Sequence, residues 1–132
     1  MKRDIQIVKK PRLMDDELNC LFLASWPGHT SRSFAEVLRR SLAYFGAYQE
    51  SQLVGFVNMA WDGGVHGFLL DPTVHPDFRR QGIGLALVSA AAGTAAERGL
   101  EWLHVDYEPA LEPFYRAAGF RSTHAGLLRV AS

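Results

Sequence analysis

Hydrophobic and polar residues follow two patterns along the chain, one typical of strands and the other typical of helices. Residues 5–8 alternate like a half-buried strand, and an apolar segment at 15–24 that begins with acidic side chains predicts a helix. A second helix is predicted within 33–42, where apolar residues fall on one helical face. Alternating stretches separated by short polar turns predict three antiparallel strands, at residues 44–49, 53–61 and 67–74.

The pattern changes after residue 81, where a nearly continuous apolar run indicates a buried helix. This run covers residues 82–98 and stops at Gly99, a residue typical of helix ends. A strand predicted at 102–107 follows, so the chain makes a strand–helix–strand unit, which is right-handed in nearly all proteins. One short helix and two strands complete the prediction, at residues 113–118, 120–123 and 126–130.

These elements predict an α/β fold of the layered α+β type. The sheet is expected to be mixed and mostly antiparallel, with about six to seven strands, and to be flanked by about four helices. A chain of 132 residues is long enough for one buried core. We therefore expect one domain that spans residues 1–132.

Charge and composition disfavour several partners and sites. The 14 basic and 14 acidic side chains cancel, so no overall field favours nucleic acid or an anionic membrane. No apolar run approaches the ~20 residues that a membrane span requires. The only cysteine, Cys20, has no disulfide partner and no partner at metal-ligand spacing, so we expect no metal. The charged first ten residues do not resemble a secretory signal, and a cytoplasmic location is expected.

Arginines and glycines stand together at the start of the predicted helix 82–98. The first N–H groups of a helix have no intrahelical partner and lie at the positive end of its dipole, so this position favours an anion. Gly82 and Gly84 lack the β-carbons that would hold a phosphate away. Arg79 and Arg80 supply donors that match phosphate oxygens.

Two common phosphate-binding motifs do not fit this stretch. A dinucleotide fingerprint requires a third glycine where Leu87 stands, and the Gly-Lys-Ser/Thr of a P-loop is missing. The R-x-x-G-x-G spacing of Arg79, Gly82 and Gly84 instead resembles the acetyl-CoA pyrophosphate motif of the GCN5-related N-acetyltransferase (GNAT) family. The segment F-Y-R-A-A-G-F at 114–120 is similar to a second motif of that family, F-Y-x-x-x-G-F.

The resemblance implies an enzyme that moves an acetyl group from acetyl-CoA to a primary amine of a small molecule or peptide, releasing coenzyme A. It implies direct attack in a ternary complex, with the cofactor in a gap where the strands around Val74 and Val105 splay apart. Pro72 fits such an interruption, because proline cannot donate to a strand ladder. The implied cofactor-binding residues are Thr73, Val74, His75, Arg79, Arg80, Gln81, Gly82, Ile83, Gly84, Leu85 and Tyr115.

The resemblance also implies catalytic roles. Tyr115 matches the tyrosine of the second motif and would act as general acid for the departing thiolate, while the N–H near Val74 would polarise the thioester carbonyl. The general base stays open among several side chains near the expected gap. Asp71 and Asp106 are the first choices, and the others are Glu108, His66 and His75.

One position departs from the family pattern. Many members place an asparagine seven residues before the catalytic tyrosine, where this chain has Glu108 followed by Pro109. Glu108 could therefore face the substrate, and its charge would suit a cationic acceptor such as a polyamine. Trp26 lies in the segment that covers the acceptor side in this family, and it is the second expected substrate-binding residue.

Two other functions stay open on the sequence. The chain could be a sensor or partner module that binds acyl-CoA without turnover, since Glu108 replaces the asparagine and the base is not identified. A small nucleotide- or nucleic-acid-binding domain is disfavoured by the zero net charge and the failed phosphate-loop motifs. The strands predicted at the C-terminus would form exposed edges, which favour a homodimer.

Overall fold

A computed structural model describes residues 4–131, and a five-stranded sheet forms its centre. The strands lie side by side in chain order: β1 (Gln6–Lys9), β2 (Ala43–Gln49), β3 (Gln52–Trp61), β4 (His66–Val74) and β5 (Trp102–His104). Neighbours from β1 to β4 pair antiparallel, whereas β4 and β5 pair parallel. The prediction of a mixed, mostly antiparallel sheet is confirmed.

Four α-helices flank this sheet within residues 4–131. They are α1 (Asp15–Ser25), α2 (Ala35–Arg40), α3 (Ile83–Glu97) and α4 (Glu112–Ala117). The helix predicted at 82–98 thus differs from α3 by one residue at each end. In this part of the chain, no helix is both long and apolar enough to cross a membrane.

The helices cover opposite faces of the sheet and create two apolar cores. On one face, Leu18 and Phe22 of α1 pack with Phe56 of β3. On the other, Leu87 of α3 packs with Met59 of β3, in the same core as Tyr115 of α4. This alternation of side chains between two cores is what the period of two in the predicted strands requires.

An extra residue interrupts the pairing of β4 with β3. Phe56 pairs with Thr73 and Asn58 pairs with Leu70, so Asp71 and Pro72 together face one residue of β3. Asp71 has a φ of 53°, in the left-handed region that a bulge can require. The interruption expected at Pro72 is therefore present as a β-bulge.

The pairing of β4 with β5 ends well before β4 does. Residues 66–68 pair with residues 102–104, and β4 then continues to residue 74 without a strand partner on that side in the described chain. The strand predicted at 102–107 is thus three residues long, and the expected splay near Val74 is present. We call the space beside the unpaired edge of residues 69–74 the β4 gap.

The two strands predicted at 120–123 and 126–130 do not form. Residues 121–131 belong to no helix or strand and are exposed. A strand is stabilised by hydrogen bonds to a neighbouring edge, and β5 is only three residues long. The sheet therefore has five strands in the described residues instead of the expected six to seven.

Candidate functional site

The loop before α3 presents unbonded backbone amides beside the end of β4. Gly82 caps α3 with a φ of 80°, and Arg80 has a φ of 62°, so the chain turns through two left-handed residues. Among the described residues, the amides of 79–85 donate no hydrogen bond to another backbone group. A β-carbon on Gly82 would meet nothing within 4 Å, so the space there is open. The loop therefore fits the anion site expected from the sequence.

Gly84 has a packing role in addition to the cofactor-binding role expected from the sequence. A β-carbon there would lie 3.3 Å from Cζ of Phe114 and 3.7 Å from Cγ2 of Val74. Phe114 belongs to α4, so the missing side chain of Gly84 lets α3, α4 and β4 approach one another. Close packing against Phe114 and Val74 thus explains why a glycine stands at position 84. Gly82 instead keeps the space in front of the helix open.

The backbone N–H of Val74 points into the β4 gap. The N–H of the next residue, His75, donates to the carbonyl oxygen of Val54 on β3, with N and O 2.8 Å apart. Successive backbone N–H groups of an extended chain point to opposite sides. The Val74 N–H therefore points away from β3, toward the side on which β4 has no partner.

Two of the predicted cofactor-binding residues shape the loop by their side chains. His75 Nδ1 accepts a hydrogen bond from the N–H of Asp77 at 3.1 Å, at the start of a 3-10 turn. Arg79 Nε donates to the carbonyl oxygen of Val74 at 3.4 Å. His75 therefore orders the turn, in agreement with its low rank among the candidate bases.

The remaining predicted residues of this segment differ in their exposure. The side chains of Arg80 and Leu85 are exposed, and that of Ile83 is buried in the core under α3. Gln81 Oε1 is buried and has no hydrogen-bond partner. Arg80 is thus an exposed cationic residue within the loop that carries the unbonded amides, whereas Arg79 contacts the backbone of Val74.

Tyr115 is held in an aromatic cluster. Its ring stacks on Tyr107 with centroids 4.6 Å apart and meets the edges of Phe114 and Phe120. Burial raises the pKa of the Tyr115 hydroxyl above its ordinary value of 10.0, and the charge of Asp106 raises this pKa further. The hydroxyl is therefore protonated at neutral pH, the state that a general acid needs.

The candidate bases lie in three different places. Asp106 is exposed and close enough to Tyr115 to affect its pKa. Asp71 lies in the bulge of β4, next to the end of the strand that borders the gap. His66 lies at the opposite end of β4, where its Nδ1 is 2.8 Å from Nε2 of His104. Asp71 thus adjoins the unpaired edge of β4, Asp106 lies near Tyr115, and His66 lies outside the β4 gap.

A cavity of about 480 Å³ opens on the face of the sheet that α1 covers. We call it the α1 cavity, and its lining residues are Phe22, Trp26, His29, Thr30, Ser31, Arg32 and Asp71. The indole N–H of Trp26 donates to Thr73 Oγ1 at 3.0 Å, and the Thr73 hydroxyl donates to the carbonyl oxygen of Asp71 at 3.0 Å. The cavity wall is therefore tied to the residue that precedes Val74.

The two predicted substrate-binding residues are separated. Trp26 lines the α1 cavity, whereas Glu108 is exposed at the start of a 3-10 turn, outside the lining of that cavity. Sequence reasoning did not single out Thr73 as the partner of Trp26 or Tyr107 as the partner of Tyr115. Both contacts depend on tertiary packing, and no spacing of residues in the sequence predicts them. No group of three or more metal-ligating side chains occurs within residues 4–131.

Comparisons with known proteins find relatives along most of the chain. The sequence profile of the acetyltransferase (GNAT) family matches residues 12–120. A mycothiol acetyltransferase of Mycolicibacterium vanbaalenii is 38% identical over 64 residues, which are 48% of this chain and 21% of that protein. The chain thus spans much less than two thirds of the length of this curated relative.

Solved structures share the fold along nearly the whole chain. A GNAT-family acetyltransferase from Streptococcus pneumoniae is 26% identical, with a TM-score of 0.81 over 97% of this chain and 100% of that one. An aminoglycoside N-acetyltransferase solved in complex with CoA is 20% identical, with a TM-score of 0.78 over 99% of this chain and 97% of that one. The five-stranded sheet and its helices therefore have counterparts in acetyltransferases.

Proposed function

Because this chain belongs to the acetyltransferase (GNAT) family, we propose that it moves an acetyl group from acetyl-CoA to a primary amine of a small molecule or peptide. The β4 gap is the observation that carries this proposal. Val74 of β4, Gly84 of α3 and Phe114 of α4 meet there, and Tyr115 follows directly in the chain. One opening thus borders an anion site and a free strand edge, and we propose that the hydroxyl of Tyr115 reaches it.

The residues of the gap fit acetyl-CoA in two respects. The open space at Gly82 and the unbonded amides of residues 79–85 suit a pyrophosphate, and Arg80 can add a charged hydrogen bond. The unpaired edge of residues 69–74 suits an extended arm that carries amide groups. When bound, acetyl-CoA supplies an acetyl thioester, whose carbon is open to attack by an amine.

Two groups of this chain are proposed to act on the reacting atoms. The Val74 N–H donates to the thioester carbonyl oxygen and stabilises the negative charge that develops there. Tyr115 donates its proton to the departing sulfur. Burial and the charge of Asp106 raise the pKa of Tyr115, so its hydroxyl carries the proton that this role requires at neutral pH.

The base that accepts the proton of the amine is proposed to be Asp71, with Asp106 as the other candidate. Asp71 lines the α1 cavity and lies three residues before Val74. Asp106 lies near Tyr115, and its negative charge opposes loss of the Tyr115 proton. These positions support Asp71 as the group that accepts the proton of the amine. They support Asp106 as a group that raises the pKa of Tyr115.

The amine is proposed to enter through the α1 cavity, with Trp26 as a wall. The hydrogen bond from Trp26 to Thr73 supports this route, because it connects the cavity to the strand that carries Val74. Glu108 remains a proposed contact for a cationic part of the substrate. Its exposed position at the turn before α4, outside the cavity lining, supports a contact only with a substrate that extends out of the cavity.

Binding and product formation together test the proposed function. Isothermal titration is expected to give saturable heat with acetyl-CoA but not with ATP, which serves as the control anion. Release of free thiol in the presence of a panel of primary amines is expected to show turnover. Binding without turnover of any amine would instead favour the acyl-CoA-binding module, and no heat with acetyl-CoA would contradict both functions.

The C-terminal segment supports a proposed homodimer. Leu127, Leu128 and Val130 are more than four-fifths exposed in residues 121–131, which have no strand partner. Apolar residues on an unpaired segment favour pairing with a second copy. Light scattering is expected to give the mass of a dimer, and removal of residues 121–132 is expected to give a monomer.

Residues 1–132 are proposed to work as one N-acetyltransferase domain in the cytoplasm. The family profile over residues 12–120 supports the domain assignment. The single Cys20, which has no internal disulfide partner, supports a reducing compartment. Fractionation of cells that produce the protein, followed by immunoblotting, tests the location.

A further inference from the structure

Two opposite charges lie side by side in the α1 cavity without a hydrogen bond between them. Arg32 Nη2 is 3.8 Å from Asp71 Oδ2, and about half of each side chain is exposed. A hydrogen bond between nitrogen and oxygen is normally shorter than about 3.2 Å, so this pair is loose. Both the guanidinium and the carboxylate therefore keep donors and acceptors for a ligand.

Contacts of its backbone and of its guanidinium hold Arg32 in place. Asn19 of α1 accepts a hydrogen bond from the Arg32 N–H at 3.1 Å and donates one to its carbonyl oxygen at 2.8 Å. The guanidinium carbon lies 4.9 Å from the centre of the Phe34 ring. These contacts fix the charge before a ligand arrives, which lowers the entropy lost on binding.

Asp71 is also fixed, through the bulge of β4. Its backbone has a φ of 53°, and its carbonyl oxygen accepts the hydroxyl of Thr73, which in turn accepts the indole N–H of Trp26. The carboxylate is therefore presented to the cavity by a strand that pairs with β3 and is tied to α1 through Trp26. A positive group at Asp71 and a negative group at Arg32 would satisfy both partners.

We propose that the α1 cavity takes a free α-amino acid as the amine acceptor, with its amino group at Asp71 and its carboxylate at Arg32. This inference rests on the proposed acetyl transfer and names its substrate class. An α-amino acid carries both groups on one carbon, so it can contact the two side chains at once. A cavity of about 480 Å³ leaves room for a side chain beside Trp26.

The transfer to such an acceptor balances in atoms and protons. The bound ammonium group first releases one proton to solvent. The resulting neutral nitrogen forms a bond to the acetyl carbon, and the carbon–sulfur bond breaks with its electron pair on sulfur. Nitrogen gives its proton to Asp71, sulfur takes one from Tyr115, and exchange with solvent restores both side chains. The products are an N-acetyl amino acid and coenzyme A.

The sharpest experiment compares each amino acid with its amide. Phenylalanine, methionine, lysine and glutamine are each tested beside the corresponding amino acid amide, which keeps the amine and side chain but lacks the negative charge. The wild-type protein is expected to prefer the acid by about 10- to 100-fold in kcat/KM, as a charged hydrogen bond predicts. In Arg32→Met this ratio is expected to fall close to one.

Arg40→Gln is the matched control, because Arg40 is an exposed arginine on α2 that pairs with Glu36. This variant is expected to keep the wild-type ratio. Amides that react as fast as the acids in the wild-type protein would overturn the inference and leave the proposed acetyl transfer standing.

If the protein turns over no substrate, a binding measurement still tests the amino-acid site separately from the transfer activity. Titration of phenylalanine into the protein with coenzyme A is then the deciding measurement. Heat that Arg32→Met weakens about 10- to 100-fold would support the amino-acid site while contradicting the transfer activity. No heat in this titration would overturn the inferred site.

Discussion

The two openings on either side of the end of β4 are made of different chemical groups. The β4 gap is bordered mainly by backbone: the amides of residues 79–85, the N–H of Val74 and an unpaired strand edge. The α1 cavity is lined by side chains, among them Trp26, Arg32 and Asp71. Backbone groups are the same in every sequence that folds this way, so the gap suits a constant ligand. Side chains change with each substitution, so the cavity suits a ligand specific to this chain.

The largest effect is expected on the gap side, from Tyr115→Phe. Removing the hydroxyl leaves the aromatic cluster in place but removes the proposed proton donor for the sulfur. We expect kcat to fall about 10²- to 10⁴-fold, with little change in the KM for acetyl-CoA. Steady-state measurement of thiol release gives both constants.

Tyr107→Phe is the matched control for this variant. The Tyr107 ring stacks on Tyr115, and its hydroxyl lies 3.3 Å from Ser122 Oγ. Loss of that exposed contact is expected to leave kcat within about threefold of wild type, in the range of a weak hydrogen bond. Equal losses from the two variants would show that packing of the cluster matters and that the Tyr115 hydroxyl does not.

On the cavity side, Asp71→Asn is expected to lower kcat/KM for the amine about 10²-fold, because the amide cannot accept the proton. Asparagine tolerates the positive φ at this position, so the bulge should persist. The same assay on Asp106→Asn distinguishes the two candidate bases. A larger loss of kcat/KM in Asp106→Asn than in Asp71→Asn would indicate that Asp106 is the base.

Arg80→Gly tests whether the gap holds an anion through side chains as well as backbone. We expect the dissociation constant of coenzyme A to rise about 10- to 100-fold, the value of one charged hydrogen bond. The free energy of unfolding should not fall, because glycine removes the strain of a φ of 62°. Calorimetry and urea unfolding measure these two quantities.

Arg121→Gly serves as the control for this substitution, since Arg121 is exposed in the C-terminal segment. It removes the same charge from the protein without touching the loop before α3. If both variants weakened coenzyme A binding equally, the effect would come from net charge and not from a contact at Arg80.

The smallest effect is expected in stability at alkaline pH. Burial raises the pKa of Tyr115 and of Tyr48, so in the folded protein each keeps its proton where the unfolded chain loses it. The stability from these groups is complete below pH 10 and is lost as pH rises through the raised pKa values. Urea unfolding between pH 8 and about pH 11 should show this decline. A decline as steep in Tyr115→Phe as in wild type would contradict the assignment to Tyr115.

The sequence predicted the backbone of the gap better than the side chains of the cavity. The apolar run at 82–98 and the proline at 72 are local signals, and they correspond to α3 and to the bulge. The contacts that shape the cavity join residues far apart in the chain, such as Trp26 with Thr73, and no spacing rule encodes them. The sequence therefore did not predict that Arg32 lies beside Asp71.

The strands predicted after residue 119 failed for a related reason. Alternation in a short segment predicts that it can pair, but the pairing itself needs an edge supplied from elsewhere. Tyr115 and Asp106 were identified by resemblance and by alternation, and the structure places them close to each other. Their catalytic roles stay predictions until the variants above are measured.

The one-residue excess in β4 determines which way its last side chains face. Leu69 packs in the core under α3, and strict alternation would turn residues 71 and 73 to that same core. Because Asp71 and Pro72 share one position, Thr73 instead reaches Trp26 and the side chain of Val74 points toward α3. Deleting Pro72 would therefore remove the bulge and turn Asp71 from the α1 cavity toward the core under α3, while Thr73 and Val74 kept their faces. Homologous enzymes with this site should accordingly vary here by substitution and never by a change in length.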